Sequence, residues 1–154
     1  MPDPATVVGG QLSNPIAEVR QEALYALASL EARALTQLPA LLAEARAGEI
    51  ADRQLAVWVI AHLISRCGNL ISDDDASRIS EALSDAIMED DDNDVRETAA
   101  NALVLLGPRE QNIIPQLVAA LGRSEVGSTS GDSIGDRYLR AALLQYGYAL
   151  ERCW

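Results

Sequence analysis

Few residues in this chain have the types and spacing that chemistry needs. His62 is the only histidine. It sits beside Leu63 and Ile64 in a helical pattern, and no second histidine completes a metal or base site. It therefore reads as a structural, partly buried side chain. Cys67 and Cys153 are the two cysteines, 86 positions apart, with no histidine or basic cluster beside either. They read as reduced, buried or idle thiols and not as a bridge or a nucleophile. Asp90-x-Asp92-x-Asp94 has the opening spacing of a calcium loop, but Val95 stands where that loop needs glycine and Asn101 where it needs glutamate. No glycine-rich phosphate loop or serine-nucleophile elbow occurs, and the Gly/Ser stretch 122–135 lacks the lysine a phosphate loop uses. The expectation is no catalytic residue, no metal and no cofactor.

What remains is charge. Residues 73–97 hold eleven acids, and only Arg78 and Arg96 oppose them, so this segment carries net −9 of the formal −11. Asp73, Asp74 and Asp75 precede a helix, where its dipole favours them. Asp90, Asp91 and Asp92 follow that helix and precede the next. Two accounts stay open: solvated caps and turns, or an acidic ridge that draws in a basic partner and speeds encounter.

Composition limits the elements that could position these groups. The 154 residues make one domain. Alanine (25) and leucine (21) make up about 30% of the chain, and both favour helix. All bases are arginine; lysine and phenylalanine are absent. At 49% hydrophobic the chain is not disordered. The charge sign argues against nucleic acid. The longest apolar stretch, Leu55 to Ile64, is ten residues, against about 20 for a bilayer span. Met1 to Leu12 lack the features of a signal peptide, and residues 1–12 read as a flexible N-terminal segment. A cytoplasmic protein without membrane contact is expected.

Internal repetition organises the rest. Val19–Leu27 aligns on Val95–Leu103 at an offset of 76, and Leu38–Leu42 aligns on Ile114–Val118 at the same offset. A middle copy follows Arg53, Ala56, Val59, Ile60 and Leu63, then Ile79 and Leu83. A weaker fourth start lies at Leu139-Arg140. The arginine marker recurs at 20, 53, 96 and 140. The middle copy has eight extra residues around Arg66 to Asp75. Each unit reads as a helical hairpin with apolar residues at i, i+3, i+4 and i+7. Repeats fall at about 14–47, 50–89 and 92–122, with a C-terminal helix at about 136–152, all in one domain over 13–154. Asn14-Pro15 reads as an N-cap with proline at the first helical position, and Asp94 with Glu97 as a capping box. Leu103 and Leu106 belong to the core. Tyr25 and Trp58 pack between units, whereas Tyr138, Tyr146, Tyr148 and Trp154 either cap the stack or form a binding spot.

The run Asp92-Asn93-Asp94-Val95-Arg96-Glu97-Thr98-Ala99-Ala100-Asn101-Ala102-Leu103, then Leu106-Gly107 and Ile113-Ile114-Pro115-Gln116-Leu117, resembles the HEAT repeat in its bacterial, phycobilisome-lyase-like form. The resemblance covers about residues 14–122. It implies an all-α, right-handed α-α superhelix: a solenoid of about three hairpins plus a C-terminal capping helix. First helices would be convex and second helices would line a concave face. Such proteins mostly bind other proteins. The related hydroxylases that act on a modified lysine need several His-Glu pairs, and His62 precedes Leu63. The related DNA glycosylases need a basic concave surface, and this chain is acidic in its middle. Aligned second helices put Arg78, Glu81, Asp85, Asn112 and Gln116 in the concave column. The expected function is a non-catalytic protein-interaction module, an adaptor, scaffold or cognate inhibitor. It would bind a protein with a basic surface through that column and the ridge of Asp73, Asp74, Asp75, Asp90, Asp91 and Asp92. A phycobilin-lyase-like or chaperone-lyase subunit is the alternative. Oligomeric state stays open.

Overall fold

The computed structural model describes residues 3–106, and every regular element among them is helical. Helix α1 spans Pro4–Gly10, α2 Ala17–Leu30, α3 Leu38–Ala47, α4 Ile50–Cys67, α5 Asp73–Glu89 and α6 Asn93–Leu106. Short 3-10 turns occupy Gln11–Ser13, Glu31–Gln37 and Gly68–Leu70. No helix among the described residues is long and apolar enough to cross a membrane. The second helix of the third repeat, the Gly/Ser stretch 122–135 and the C-terminal helix at 136–152 lie outside the described residues, as do Asn112, Gln116 and Cys153.

Local chemistry sets the boundaries. Asn14 Oδ1 accepts a hydrogen bond from the Ile16 N–H at 2.9 Å, and Ile16 is extended, so α2 begins at Ala17. Pro15 thus stands outside the helix instead of opening it, because the side chain of Asn14 turns the backbone first. Helix α2 stops at Glu31, whose φ of 51° is one an L-residue rarely adopts. Helix α5 is capped by Ser72, whose Oγ accepts from the Asp75 N–H at 3.1 Å, and Asp73, Asp74 and Asp75 fill its first turn. Helix α6 is capped by Asp92, whose Oδ2 accepts from the Val95 N–H at 3.0 Å. Asp94, expected as that cap, lies within the first turn. Asp92 takes the position because the chain before it is held by Asp90, whose Oδ1 accepts from the Asp92 N–H.

The N-terminal segment corrects an expectation. Residues 4–10, read as flexible, form α1, which opens on a proline and buries Ala5 and Gly9. Gly9 lies against the side chain of Gln37, and a Cβ there would meet it. Leu12 is buried in the main core. A short amphipathic turn finds cover against α2 and the 31–37 turn, which its own sequence does not announce.

Helix α4 packs against α2 on one side and α6 on the other; α3 packs against α5; α3 also contacts α4, and α5 contacts α6. The interior is built from Leu24, Leu27, Leu41, Ile60, Leu63, Ile79, Leu83 and Leu103, all fully buried. Leu103 and Leu106 lie in it as expected. Arg20, Arg53 and Arg96 are each the fourth residue of their helix, so the spacing marker of the sequence is a register marker in space. The eight extra residues of the middle repeat lengthen helices. Helix α4 runs for 18 residues against 14 in α2, and α5 starts six residues before Ile79.

Candidate functional site

Three of the residues expected to face a partner come together. Arg78, Glu81 and Asp85 fall on one face of α5, together with Asp74 and Glu89, because spacings of three and four residues return to the same side of a helix. This face borders a groove between α3 and α5. The Arg46 guanidinium of α3 reaches Asp85 across the groove, Nη2 to Oδ2 at 3.2 Å, with both side chains 49% exposed. On one side of that pair lies an open cavity of about 470 Å³, floored by Pro39, Leu42, Ala43 and Ala47 and edged by Arg78 and Glu81. On the other side a second, of about 300 Å³, is lined by Ala45, Ala86, Glu89 and Asp90. The floor is apolar because α3 places leucine and alanine there, and Pro39 at its start exposes its ring without wasting a donor. Arg78 leans on Asp75 at a long 3.7 Å and is 63% exposed, so its charge is available to a ligand.

The six acids expected to form a ridge separate into two groups with different tasks. Asp73, Asp74 and Asp75 stand at one end of α5 and Asp90, Asp91 and Asp92 at the other. The 17-residue helix keeps them about 25 Å apart. Asp73 and Asp74 are exposed, and so is Asp91. Asp90 is largely withdrawn from solvent and only edges the second cavity: its side chain is 8% exposed. It accepts from Arg53 Nε at 2.9 Å and from Arg53 Nη2 at 3.2 Å. Asp92 caps α6 and accepts from Gln54 Nε2 at 3.0 Å. The Gln54 hydrogen bond first, and the Val95 N–H second, hold the Asp92 carboxyl below its ordinary range. These two acids join α4 to the start of α6. The exposed acids of α5, Asp74, Glu81 and Glu89, share its face with Arg78 and with Asp85, which is paired to Arg46.

A second clamp of the same kind was not legible beforehand. Asp52, in the first turn of α4, is buried. Arg20 donates to it from Nε at 2.7 Å and to the Asn14 carbonyl from Nη1 at 3.0 Å. Arg53 repeats the pattern, donating to the Gly48 carbonyl at 2.9 Å, and Arg96 donates to the Ile87 carbonyl at 3.0 Å. The Asp52 hydrogen bond raises the Arg20 pKa. Glu44 completes the cluster. Its burial, and then the charge of Asp52 to which it hydrogen bonds, push its carboxyl above the ordinary range. The available signal was the repeated Arg-Gln pair, Arg20-Gln21 and Arg53-Gln54, since Gln21 also approaches Asp52, at 3.5 Å.

The remaining candidates are packing residues. Cys67 is buried and donates to the Leu63 carbonyl at 3.1 Å; burial raises its thiol pKa. His62 stacks on Trp58, ring centroids 5.4 Å apart and 21° from parallel. Tyr25 meets Trp58 edge-on at 6.0 Å. That contact joins α2 to α4 as expected, but on the surface: the two rings are 53% and 44% exposed. Among the described residues no group of three or more His, Cys, Asp or Glu could hold a metal ion.

These features define an all-helical protein with a groove between two of its helices and ionic clamps at its helix starts. No family model matches the sequence, and no curated protein does. Among solved structures it is similar to an engineered protein, Northeast Structural Genomics Consortium target OR329, with a TM-score of 0.70 and 20% identity. The match covers 93% of this chain and 62% of that one, so this chain spans less than two thirds of the engineered protein's length. At that identity the likeness concerns the fold alone.

Proposed function

We propose that this chain is a non-catalytic protein-interaction module, a HEAT-like solenoid of helical hairpins that seats a partner segment between α3 and α5. The observation that carries this proposal is the apolar-floored groove spanned by Arg46 and Asp85. Helices in grooves are held by apolar anchors while the rim sets orientation. The exposed acids Asp74, Glu81 and Glu89 of α5 favour a partner that brings basic residues to that rim. The recurrence of Arg20, Arg53 and Arg96 at one helix position, with α4 between α2 and α6, supports the superhelical arrangement.

The test is partner retention by the full chain, purified from its own cells with Ala43→Arg, Asp85→Arg and Arg46→Asp/Asp85→Arg variants. Ala43 is exposed, so arginine there fills the groove without entering the core. Ala43→Arg should lose a stoichiometric partner. Asp85→Arg should weaken it, and the charge-swapped double variant, which restores the ion pair, should recover part of it. Retention of that partner at wild-type level by Ala43→Arg would refute the groove as its seat.

A further inference from the structure

Helices α2, α4 and α6 share a register, and α2 has a side that the shared register leaves open. The third, seventh and tenth residues of each form one stripe, because spacings of three and four return to the same face of a helix. In α4 the stripe is Asp52, Ala56 and Val59, and in α6 it is Val95, Ala99 and Ala102. All six are at most 1% exposed, and each of these helices has its predecessor packed against it, α2 on α4 and α4 on α6. At both joints the preceding helix brings an arginine: Arg20 donates to Asp52, and Arg53 to Asp90 just before α6. In α2 the same stripe is Val19, Ala23 and Ala26, and of these only Ala23 is buried. Among the described residues this side is covered only in part, by α1 and the turn that follows it. They leave an open cavity of about 490 Å³ over the stripe. Val7 and Val8 of α1 form its other wall, and Val7 is 50% exposed.

Shape and charge select what fits there. The α2 part of the lining runs from Glu18 to Ala26, a rise of about 12 Å, or two turns of helix. Its floor is small, so the larger aliphatic side chains must come from the occupant. Twice in this molecule the equivalent side of a helix is filled by another helix that carries an arginine. At the rim stand Glu18 and Glu22, one turn apart and both exposed, and no base lines the cavity. Two acids on this face repel the same face of a second copy, and the net charge of −11 adds to that repulsion. We infer that the α1–α2 cavity is the docking site for an amphipathic helix of a partner protein. That helix lays aliphatic residues over Val19, Ala23 and Ala26 and brings arginine or lysine to Glu18 and Glu22. The site is separate from the α3–α5 groove, because none of its lining residues belongs to α3 or α5.

The experiment is a titration of the methyl-labelled full chain with a synthetic alanine-based peptide of about 18 residues, long enough to hold a helix. The peptide carries leucine at spacings of three and four and arginine beside that stripe. One control peptide has glutamine for arginine, and a second has the same composition with its leucines spread around the helix. The arginine peptide should move the methyl signals of Val7, Val19, Ala23 and Ala26 saturably. The glutamine peptide should bind there about two- to tenfold more weakly, and the spread-leucine peptide should leave those methyls in place. Glu18→Gln/Glu22→Gln should reduce the arginine peptide to the affinity of the glutamine peptide. Val7→Arg, at an exposed position, should weaken both by about tenfold or more. Ala26→Arg should abolish binding, and its own spectrum reports whether it folds; Val7→Arg decides the matter if it does not. Equal affinity of the arginine and glutamine peptides, or wild-type affinity in Val7→Arg, would overturn the assignment. So would shifts confined to α3 and α5, or no saturable shift at all, the result expected if the chain itself closes the cavity. Movement of the same methyls with protein concentration and no peptide would give the site to a second copy and overturn it too. Because the readout lies on α1 and α2, its failure leaves the α3–α5 groove untouched, and loss of partner in Ala43→Arg leaves this site untouched.

Discussion

Asp90 and Asp91 are neighbours in sequence and identical in type, yet replacing them by asparagine should give opposite results. Asp90 is held by two hydrogen bonds from Arg53, at 2.9 and 3.2 Å, with the two side chains only 8% and 18% exposed. Asp91 is exposed. Asp90→Asn keeps an acceptor for the Asp92 N–H but removes the charge and one of the two bonds to Arg53, leaving a largely buried guanidinium with a neutral partner. A charge-assisted hydrogen bond contributes about 1.5–3 kcal/mol, and losing one member of a fully buried pair costs about 3–5 kcal/mol. Partial exposure and the retained Gly48 carbonyl contact place the expected loss near the lower figure, about 2 kcal/mol. For a chain of 154 residues that lowers Tm by roughly 4–8 °C. Asp91→Asn should change stability by no more than about 0.5 kcal/mol. Thermal and urea melts of both variants, with Arg53→Gln and the Arg53→Gln/Asp90→Asn double variant closing a cycle, measure the coupling directly. A wild-type Tm for Asp90→Asn with near-zero coupling would show that Asp90 does not join α4 to α6, and would return it to the free acidic surface.

Three further outcomes are expected. Leu103→Ala, at a fully buried site where α6 meets its neighbours, should lose about 2–5 kcal/mol in a urea melt. The Glu44 carboxyl has a raised pKa in the folded chain, first through burial and then through Asp52. Its contribution is therefore full below the ordinary glutamate range and is lost as pH rises through the raised value. Glu44→Gln, which keeps a donor toward Asp52, should raise Tm at pH 8, leave it unchanged at pH 4, and flatten that part of the pH–stability curve. In a Cys153→Ala background, Cys67 should resist iodoacetamide until urea unfolds the chain, since its thiol is buried and its pKa raised; mass spectrometry of the quenched reaction reads the label.

The placement of helices was largely legible because it depends on local rules. A stripe of small and aliphatic residues at helical spacing dictates α2, α4 and α6. Asp73 to Asp75, expected just before a helix, lie in the first turn of α5, and the recurring arginine foretold a shared register that Arg20, Arg53 and Arg96 keep in space. The shared face of Arg78, Glu81 and Asp85 followed from spacing alone. Other features depended on which groups the folded chain brings together across 31 to 38 positions, which no local pattern contains. Asp52 and Asp90 became ligands of Arg20 and Arg53 in this way, and Gln54 became a partner of Asp92. Helix α1 was missed because its order comes from cover by α2 and not from its own composition.

Sequence by itself therefore determined the helical class, the shared helix position of the recurring arginine and the acidic excess, since each follows from side-chain type and periodicity along one chain. Tertiary structure alone decided which of eleven acids are spent on ionic clamps and which face outward. The reason is physical: a carboxylate's role depends on the cation and the desolvation it meets, and both are supplied by residues distant in the chain.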